Sequence, residues 1–391
     1  MNGMNEMTLT INNISPFVVN LSAKSNWFFI RVESNDGCAG YGEGTLYGWE
    51  KLQLAYLEQL SASVIGQPVE QALVRLRVQP ASPRGLVANS IISALEQALT
   101  DVRARSTGQP LYATLGAPQR TRVRMYANIN RRTEDRTPQG FVASARDAVA
   151  QGYEAIKIAP FDGVVPDLGR AESRARIDAG IERIYATREA IGPDVDLLVD
   201  CHWRFDETTA ASVLGELERA KLFWFECPIS ESPENYPALA RLRSLAHRLG
   251  TRLAGAEQQI GVPGFRPFIE GGLLDIVMPD VKYAGGYAEM LRIAALCERA
   301  GVAFSPHNPT GPVCTMASLH VCALAPSFLI LEHQVGESPL YYEVLRGGHP
   351  ALVEGCFQLS NAPGLGIDLN VEVMRAHPYR PLSSVRDRRL G

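Results

Sequence analysis

Over residues 7–45 polar and apolar positions alternate in short runs, WFFIRVES among them, and Asp36-Gly37 follows where a chain most simply turns a hairpin. A small antiparallel sheet is predicted. From residue 50 to 115 the period lengthens, with Ala88, Ile91, Ile92, Leu95 and Ala98 on one helical face and Gly116 closing the stretch. Together these describe an α+β unit over residues 1–121. After Arg122 the pattern changes to eight near-continuous apolar runs: VRMYANI, YEAIKIA, VDLLVD, LFWFEC, RLAGAE, LDIVMP, VAFSP and FLILE. Helical segments at 141–151, 173–191, 210–219, 236–249 and 288–300 lie between them. Apolar strands separated by helices describe a parallel sheet covered on its outer face. Eight of them match an α/β fold of the (β/α)₈ barrel type over residues 122–338. Residues 339–391 are rich in Gly, Pro and Arg, lack the barrel period and are expected to pack back on the first unit.

The chain has 391 residues, 46% hydrophobic and 20% charged, with a formal net charge of -4, which suits a globular protein with a sizeable core. Mild acidity without a Lys/Arg run gives no electrostatic footprint for nucleic acid. The longest nearly apolar run, 321–331, is broken by Pro326 and falls short of the roughly 20 residues that a membrane-spanning helix needs. The opening MNGMNEMTLT lacks the basic end and apolar stretch of a signal peptide. Seven scattered cysteines, odd in number and without CxxC spacing, read as thiols in a reducing cytoplasm. On that reading the Asn-x-Ser matches at Asn13 and Asn20 carry no meaning.

In such a barrel the chemistry sits where the strands end. Six runs end in or beside an ionisable residue, Asp200, Glu226, Glu257, Asp280, His307 and Glu332, at separations of 26, 31, 23, 27 and 25 residues. That repeat brings all six to one rim, and a seventh run carries Lys157. Asp200, Glu226 and Glu257 come from consecutive strands, and three convergent carboxylates repel one another unless a cation sits among them. All-oxygen ligation favours Mg²⁺ over Zn²⁺, with Mn²⁺ as a substitute. The competing reading pairs these acids with Arg or Lys across loops. Asp280 and His307 stand on neighbouring strand ends, where a carboxylate fixes an imidazole's tautomer and raises its basicity. They read as a base with its orienter, or as a structural hydrogen bond. His202, two residues beyond Asp200 in VDCHWRFD, falls on the same face by strand parity, or else packs as a loop residue on Trp203.

This ordered set resembles the enolase superfamily and within it the mandelate racemase subgroup, in the manner of acid-sugar dehydratases of the galactonate type. The likeness runs over nearly the whole chain: NWFFIRVESNDGCAGYGEG, the Asp, Glu and Glu strand ends, MPDVKYAGG, SPHNPTGP, the Glu332 strand end and NAPGLGIDL. It implies a modified barrel under an α+β capping domain, with Asp200, Glu226 and Glu257 as Mg²⁺ ligands and His307 with Asp280 as the catalytic dyad. It makes Glu332 the acid that hydrogen-bonds the substrate carboxylate in its enolate form, and His202 the general acid. It also implies that the segments holding Lys24, Trp27, Tyr47 and Trp49 form mobile loops that read the distal end of a substrate, with Arg204 a further substrate contact. A homo-oligomer, octamer or dimer, belongs to the same expectation.

The departures are informative. Where Lys-x-Lys is common the chain reads Lys157-Ile158-Ala159, so a second base is missing and Lys157 is left to neutralise the substrate carboxylate. Cys227 follows Glu226 where a second Glu is common, and Gln258 follows Glu257. The glycines of GYGEG (Gly40, Gly42, Gly44) fit no phosphate loop and read as a glycine-rich hairpin. The expected activity is dehydration of an aldonate to a 2-keto-3-deoxy acid through α-proton abstraction and an enediolate. A racemase or epimerase of a 2-hydroxy acid is the alternative enzyme, and a non-catalytic barrel the alternative outside enzymology.

Overall fold

The computed structural model describes residues 8–78, 85–165 and 170–382; Met1–Met7, on which the signal-peptide reading partly rests, lie outside them. The capping region opens with β1 (Ile11–Ser22), β2 (Ser25–Ser34) and β3 (Ala39–Glu43), an antiparallel sheet in that order. The hairpin between β2 and β3 turns at Asp36, whose Oδ1 accepts from Ser34 Oγ at 2.6 Å and from the Cys38 N–H at 3.0 Å. Helices α1 (Glu50–Ser61), α2 (Val69–Val78), α3 (Gly85–Ser106) and α4 (Leu111–Leu115) follow. The GYGEG glycines answer to packing rather than to the hairpin. A Cβ at Gly40, Gly42 or Gly44 would overlap the carbonyl of Ala98, Ala94 or Ser90 respectively. Alternate strand residues advance about 6.8 Å and four helical residues about 6 Å, so three glycines match three carbonyls of α3.

Eight strands then form the ring: β4 (Arg122–Asn128), β5 (Ala155–Ile158), β6 (Asp196–Asp200), β7 (Trp224–Glu226), β8 (Arg252–Gly255), β9 (Ile276–Val277), β10 (Ala303–Phe304) and β11 (Leu331–Gln334). They pair in parallel from β4 to β10, and β11 pairs with β4. A Phe304–Phe328 bridge joins β10 to the lead-in of β11 and closes the ring. On the outside lie α5 (Pro138–Ala150), α6 (Arg170–Ile191), α7 (Glu207–Glu216), α8 (Tyr236–Arg248), α9 (Gly261–Glu270), α10 (Val281–Ala284), α11 (Tyr287–Ala300) and α12 (Pro312–Leu324). The last strand is followed only by the short α13 (Leu340–Glu343), so the barrel is a modified one.

Two helices escape the periodicity. Helix α9 does bury a face of Phe265, Phe268 and Ile269, but its two prolines and two glycines in ten residues read as a loop, and α12 is buried on every side, so it shows no apolar stripe. Beyond the barrel, β12 (Leu352–Val353) and β13 (Cys356–Gln358) form a hairpin that pairs antiparallel with the start of β4. The chain then returns to the cap, where Gly364 exchanges backbone hydrogen bonds with Gln109 and Leu111, and Asn20 donates to the His377 carbonyl. Among the described residues no helix is long and apolar enough to cross a membrane.

Strand parity carries this architecture into the site. An apolar layer of Tyr126, Ala155, Leu198, Trp224, Ala254, Ile276, Met278 and Ile330 fills the barrel. Two residues further along, on the same face, come Asn128, Lys157, Asp200, Glu226 and Glu332.

Candidate active site

Asp200, Glu226 and Glu257 converge at the C-terminal mouth, all buried, each offering an oxygen within 4.8 Å of those of the other two. Asp200 and Glu226 are the last residues of β6 and β7. Glu257 lies two beyond β8, where the left-handed turn at Ala256 (φ +68°) breaks the alternation and swings it inward. Beneath them Lys157, 2% exposed, places Nζ 2.8 Å from both Glu226 Oε1 and Glu332 Oε1. Its charge is therefore engaged by two protein acids.

These groups do not balance. Burial favours neutral carboxyls throughout, but His202 and Lys157 outweigh it at Asp200 and hold that group well below the usual carboxylate range. Lys157 likewise holds Glu332 down. Glu226 is pushed up by burial and by the neighbouring acids, against Lys157, and Glu257 is pushed up to about 8 by burial and Asp200. Among the described residues Glu257 has no polar partner nearer than His307 Nε2, at 3.4 Å. Asp200, Glu226, Glu257 and Glu332 share a single lysine, with His202 and His307 at the margin, so the all-oxygen donor set is short of positive charge. The residues fit a divalent metal ion.

The opposite arc is closed by hydrogen bonds. Asp280 caps α10: Oδ1 accepts from the Lys282 N–H at 2.8 Å, and Oδ2 meets Lys282 Nζ at 2.6 Å and His307 Nδ1 at 2.7 Å. Burial would raise this carboxyl, but Lys282 and His307 hold it low. With Nδ1 taken, His307 turns Nε2 toward Glu257 and the mouth. Glu332 Oε1 accepts from Asn128 Nδ2 at 2.7 Å and Oε2 from the Asn308 N–H at 2.7 Å. Both oxygens of Glu332 are thus engaged within the chain, at the side of the mouth where His307 stands.

His202 reaches the site by a different route from the one parity suggests. Strand β6 ends at Asp200, and His202 (φ +49°) and Trp203 (φ +54°) form a left-handed turn. That turn brings His202 Nε2 to 2.9 Å from Asp200 Oδ2 with the side chain 40% exposed. Burial would lower this imidazole's pKa, but Asp200 prevails and raises it.

The substrate-contact candidates divide. Trp27 is not in a loop: it is buried in the central strand β2, packed on Phe29 and Tyr341, because both faces of that strand are covered. Lys24 lies exposed in the β1–β2 turn, and Trp49 precedes the first turn of α1. Tyr47 joins a cluster over the barrel, with Arg131 2.9 Å from Glu337, its guanidinium 4.6 Å from the Tyr47 ring centre and Glu337 2.5 Å from Ser25 Oγ. Arg204 donates to the Val164 carbonyl at 2.8 Å.

Comparison with known proteins agrees with this arrangement. Residues 6–116 match the family described as mandelate racemase / muconate lactonizing enzyme, N-terminal domain, and residues 140–373 match the enolase C-terminal domain-like family. The chain belongs to the enolase superfamily. Its similar superfamily relatives include a D-galactonate dehydratase of Pectobacterium atrosepticum, 28% identical over 89% of this chain and 90% of that one. A D-gluconate dehydratase of Thermoproteus tenax is 28% identical over 97% of this chain and 76% of that one. Among solved structures, a mandelate racemase/muconate lactonizing enzyme-like protein from Rubrobacter xylanophilus superposes with a TM-score of 0.85 at 28% identity, over 96% of this chain and 98% of that one.

Reading only ionisable strand ends left several partners unseen. Asn128 is itself the last residue of β4, so asking for any hydrogen-bonding strand end finds it. Lys282 and Asn308 each stand within two residues of a named group. Glu231, which follows β7 by five residues, carries no such signal.

Proposed function

We propose that the protein is an Mg²⁺-dependent acid-sugar dehydratase that converts an aldonate to its 2-keto-3-deoxy acid. The observation that carries this reading is a pair of histidines flanking one carboxylate cluster, each held by a different aspartate. His307 has its Nδ1 tied to Asp280 and its Nε2 facing the mouth, the arrangement of a base. His202 is drawn toward its protonated form by Asp200, the arrangement of an acid.

A divalent ion held by Asp200, Glu226 and Glu257 would withdraw the charge that develops on the substrate carboxylate as the α-proton leaves. His307 Nε2 takes that proton, and the C–H electron pair passes into the carboxylate to give an enediolate. Asp280 stabilises the imidazolium that results. The pair then returns to form the C2=C3 bond as the 3-hydroxyl departs with a proton from His202. Water and an enol are formed, and the enol tautomerises to the 2-keto acid. Lys157 keeps Glu226 and Glu332 in place, and Glu332 fixes the Asn308 turn beside His307.

Racemisation needs a working base on the second face of the carbon. Ala159 supplies none, and Lys157 is held as an ammonium ion well above its ordinary pKa, since burial would lower it but Glu226 and Glu332 prevail; that leaves His202, whose pKa burial would lower but Asp200 raises. The galactonate and gluconate dehydratases among its relatives support the same substrate class. Screening aldonic acids with Mg²⁺ in D₂O tests the reading: 2-keto-3-deoxy product is expected, with configuration retained in recovered substrate. Inversion at C2 without that product would replace it with a racemase.

A further inference from the structure

Of the six non-glycine residues with positive φ among the described residues, four stand directly after the strands that carry the acid cluster: His202 and Trp203 after β6, Cys227 (φ +44°) after β7 and Ala256 after β8. L side chains rarely adopt such conformations, and they persist only where surrounding contacts over-determine them. One side chain touches all three turns. Glu231 Oε1 accepts from the Ala256 N–H at 2.7 Å and lies 3.7 Å from Cys227 Sγ, and the Trp203 side chain hydrogen-bonds the same carboxylate. The space is made for it: a Cβ on Gly255 would overlap Glu231 Oε1. Backbone bonds extend the same link, Trp203 donating to the Cys227 carbonyl and Cys227 to that of Ala254.

We propose that Glu231 is a positioning residue whose carboxylate locks the three turns after β6, β7 and β8, and so sets the spacing of Asp200, Glu226 and Glu257 for a divalent cation. The proposal rests on the metal-binding reading of that cluster. Glu231 reaches the cation only through the turns: Ala256 adjoins Glu257, Cys227 adjoins Glu226, and the Trp203 turn follows Asp200. Partners of this kind typically change metal affinity by about 10–100-fold when removed.

Titration of the full-length protein with Mn²⁺, read by electron paramagnetic resonance, tests this independently of turnover. Glu231→Ala is expected to raise the Mn²⁺ Kd by about 10-fold or more while the metal-free protein keeps a cooperative unfolding transition. Glu231→Gln keeps an acceptor for Ala256 but turns an amide donor on Trp203, so a smaller rise, about threefold or more, is expected. An unchanged Kd in folded Glu231→Ala overturns the proposal. Should that variant not fold, Glu231→Gln decides: a raised Kd supports the clamp, and a Kd equal to that of the unsubstituted protein overturns it. Absence of Mn²⁺ binding by the unsubstituted protein would remove the metal centre itself and the clamp with it, whereas equal binding by all forms removes the clamp alone.

Discussion

At the ends of β9, β10 and β11 each buried charge is answered by an opposite charge or a donor from within the chain, whereas at the ends of β6, β7 and β8 three acids share what Lys157, Trp224 and His202 supply, and among the described residues Glu257 meets nothing nearer than His307 at 3.4 Å. On the first arc Lys282 and His307 share Asp280, and Lys157, Asn128 and Asn308 saturate Glu332. On the second, Glu226 and Glu257 are pushed toward their neutral forms, and the turns that hold the acids are left-handed. An arc saturated in this way can present a base with its geometry already set. A deficient one is built around something the chain does not itself supply, so removal of a group should have opposite consequences on the two sides.

The largest effect is expected from removal of the divalent cation. Exhaustive chelation should abolish turnover, and Mg²⁺ should restore it. Glu257→Gln should lose metal binding and activity together yet unfold at equal or higher temperature than the metal-free parent, because a neutral amide replaces an acid that burial disfavours. Turnover persisting in chelator would break the comparison at its root.

On the saturated arc the order reverses. His307→Asn should keep Mn²⁺ affinity within a few-fold and lose both α-proton exchange and dehydration, by about 10⁴-fold at the upper end for a positioned base. Exchange at the parental rate, followed by NMR in D₂O, is the result that assigns the base elsewhere.

Lys157 joins the arcs, and Lys157→Met leaves Glu226 and Glu332 without their shared cation. Breaking a buried pair by removing one partner costs about 3–5 kcal/mol, so the metal-free variant should show that loss in urea unfolding. Saturating Mg²⁺ should recover part of it, since an added ion answers Glu226. A stability change below about 1 kcal/mol would show that water already screens these acids.

His202 divides the two chemical steps. His202→Asn should leave α-proton exchange near the parental rate and lower product formation by about 10²-fold, the usual lower scale for a positioned acid. Equal loss of both would put His202 in proton abstraction.

How far the sequence disclosed all this depended on whether the pleat was intact. Lys157, Asp200, Glu226 and Glu332 are legible because period two from an apolar barrel residue delivers them inward. His202 and Glu257 reach the mouth only through left-handed turns, which no hydrophobic pattern encodes. Glu231 is invisible for the same reason, as is the use of Gly40, Gly42 and Gly44 as contact points for α3. Trp27 went the other way: the alternation of WFFIRVES already put it in a strand, whereas the resemblance put its segment in a loop, and both faces of β2 are covered.

The smallest effect contrasts two histidines near the same strand ends. His307 is oriented by Asp280, whereas His333, one residue beyond Glu332 and therefore on the outer face of β11, sits among Tyr341, Phe357 and His349 and, among the described residues, has only the Tyr153 hydroxyl as a hydrogen-bond partner, at Nδ1. Burial lowers its pKa to about 3, with His349 adding to the shift. In the unfolded chain a histidine titrates near about 6.5, so below that pH the unfolded state binds a proton that the folded state refuses. The contribution of His333 to stability is thus complete above pH 6.5 and lost progressively as pH falls toward 3, by up to about 1.4 kcal/mol per unit. Raised carboxyls such as Glu257 act in the opposite sense, so the net slope of the parent does not isolate this group. The difference between parent and His333→Phe does, because the carboxyls are common to both. Urea unfolding at pH 7 and at pH 5.5 should show the parent losing roughly 1 kcal/mol more than the variant across that interval. Parallel pH profiles would mean that His333 accepts a proton in the folded protein, and that the aromatic enclosure behind β11 is open to water.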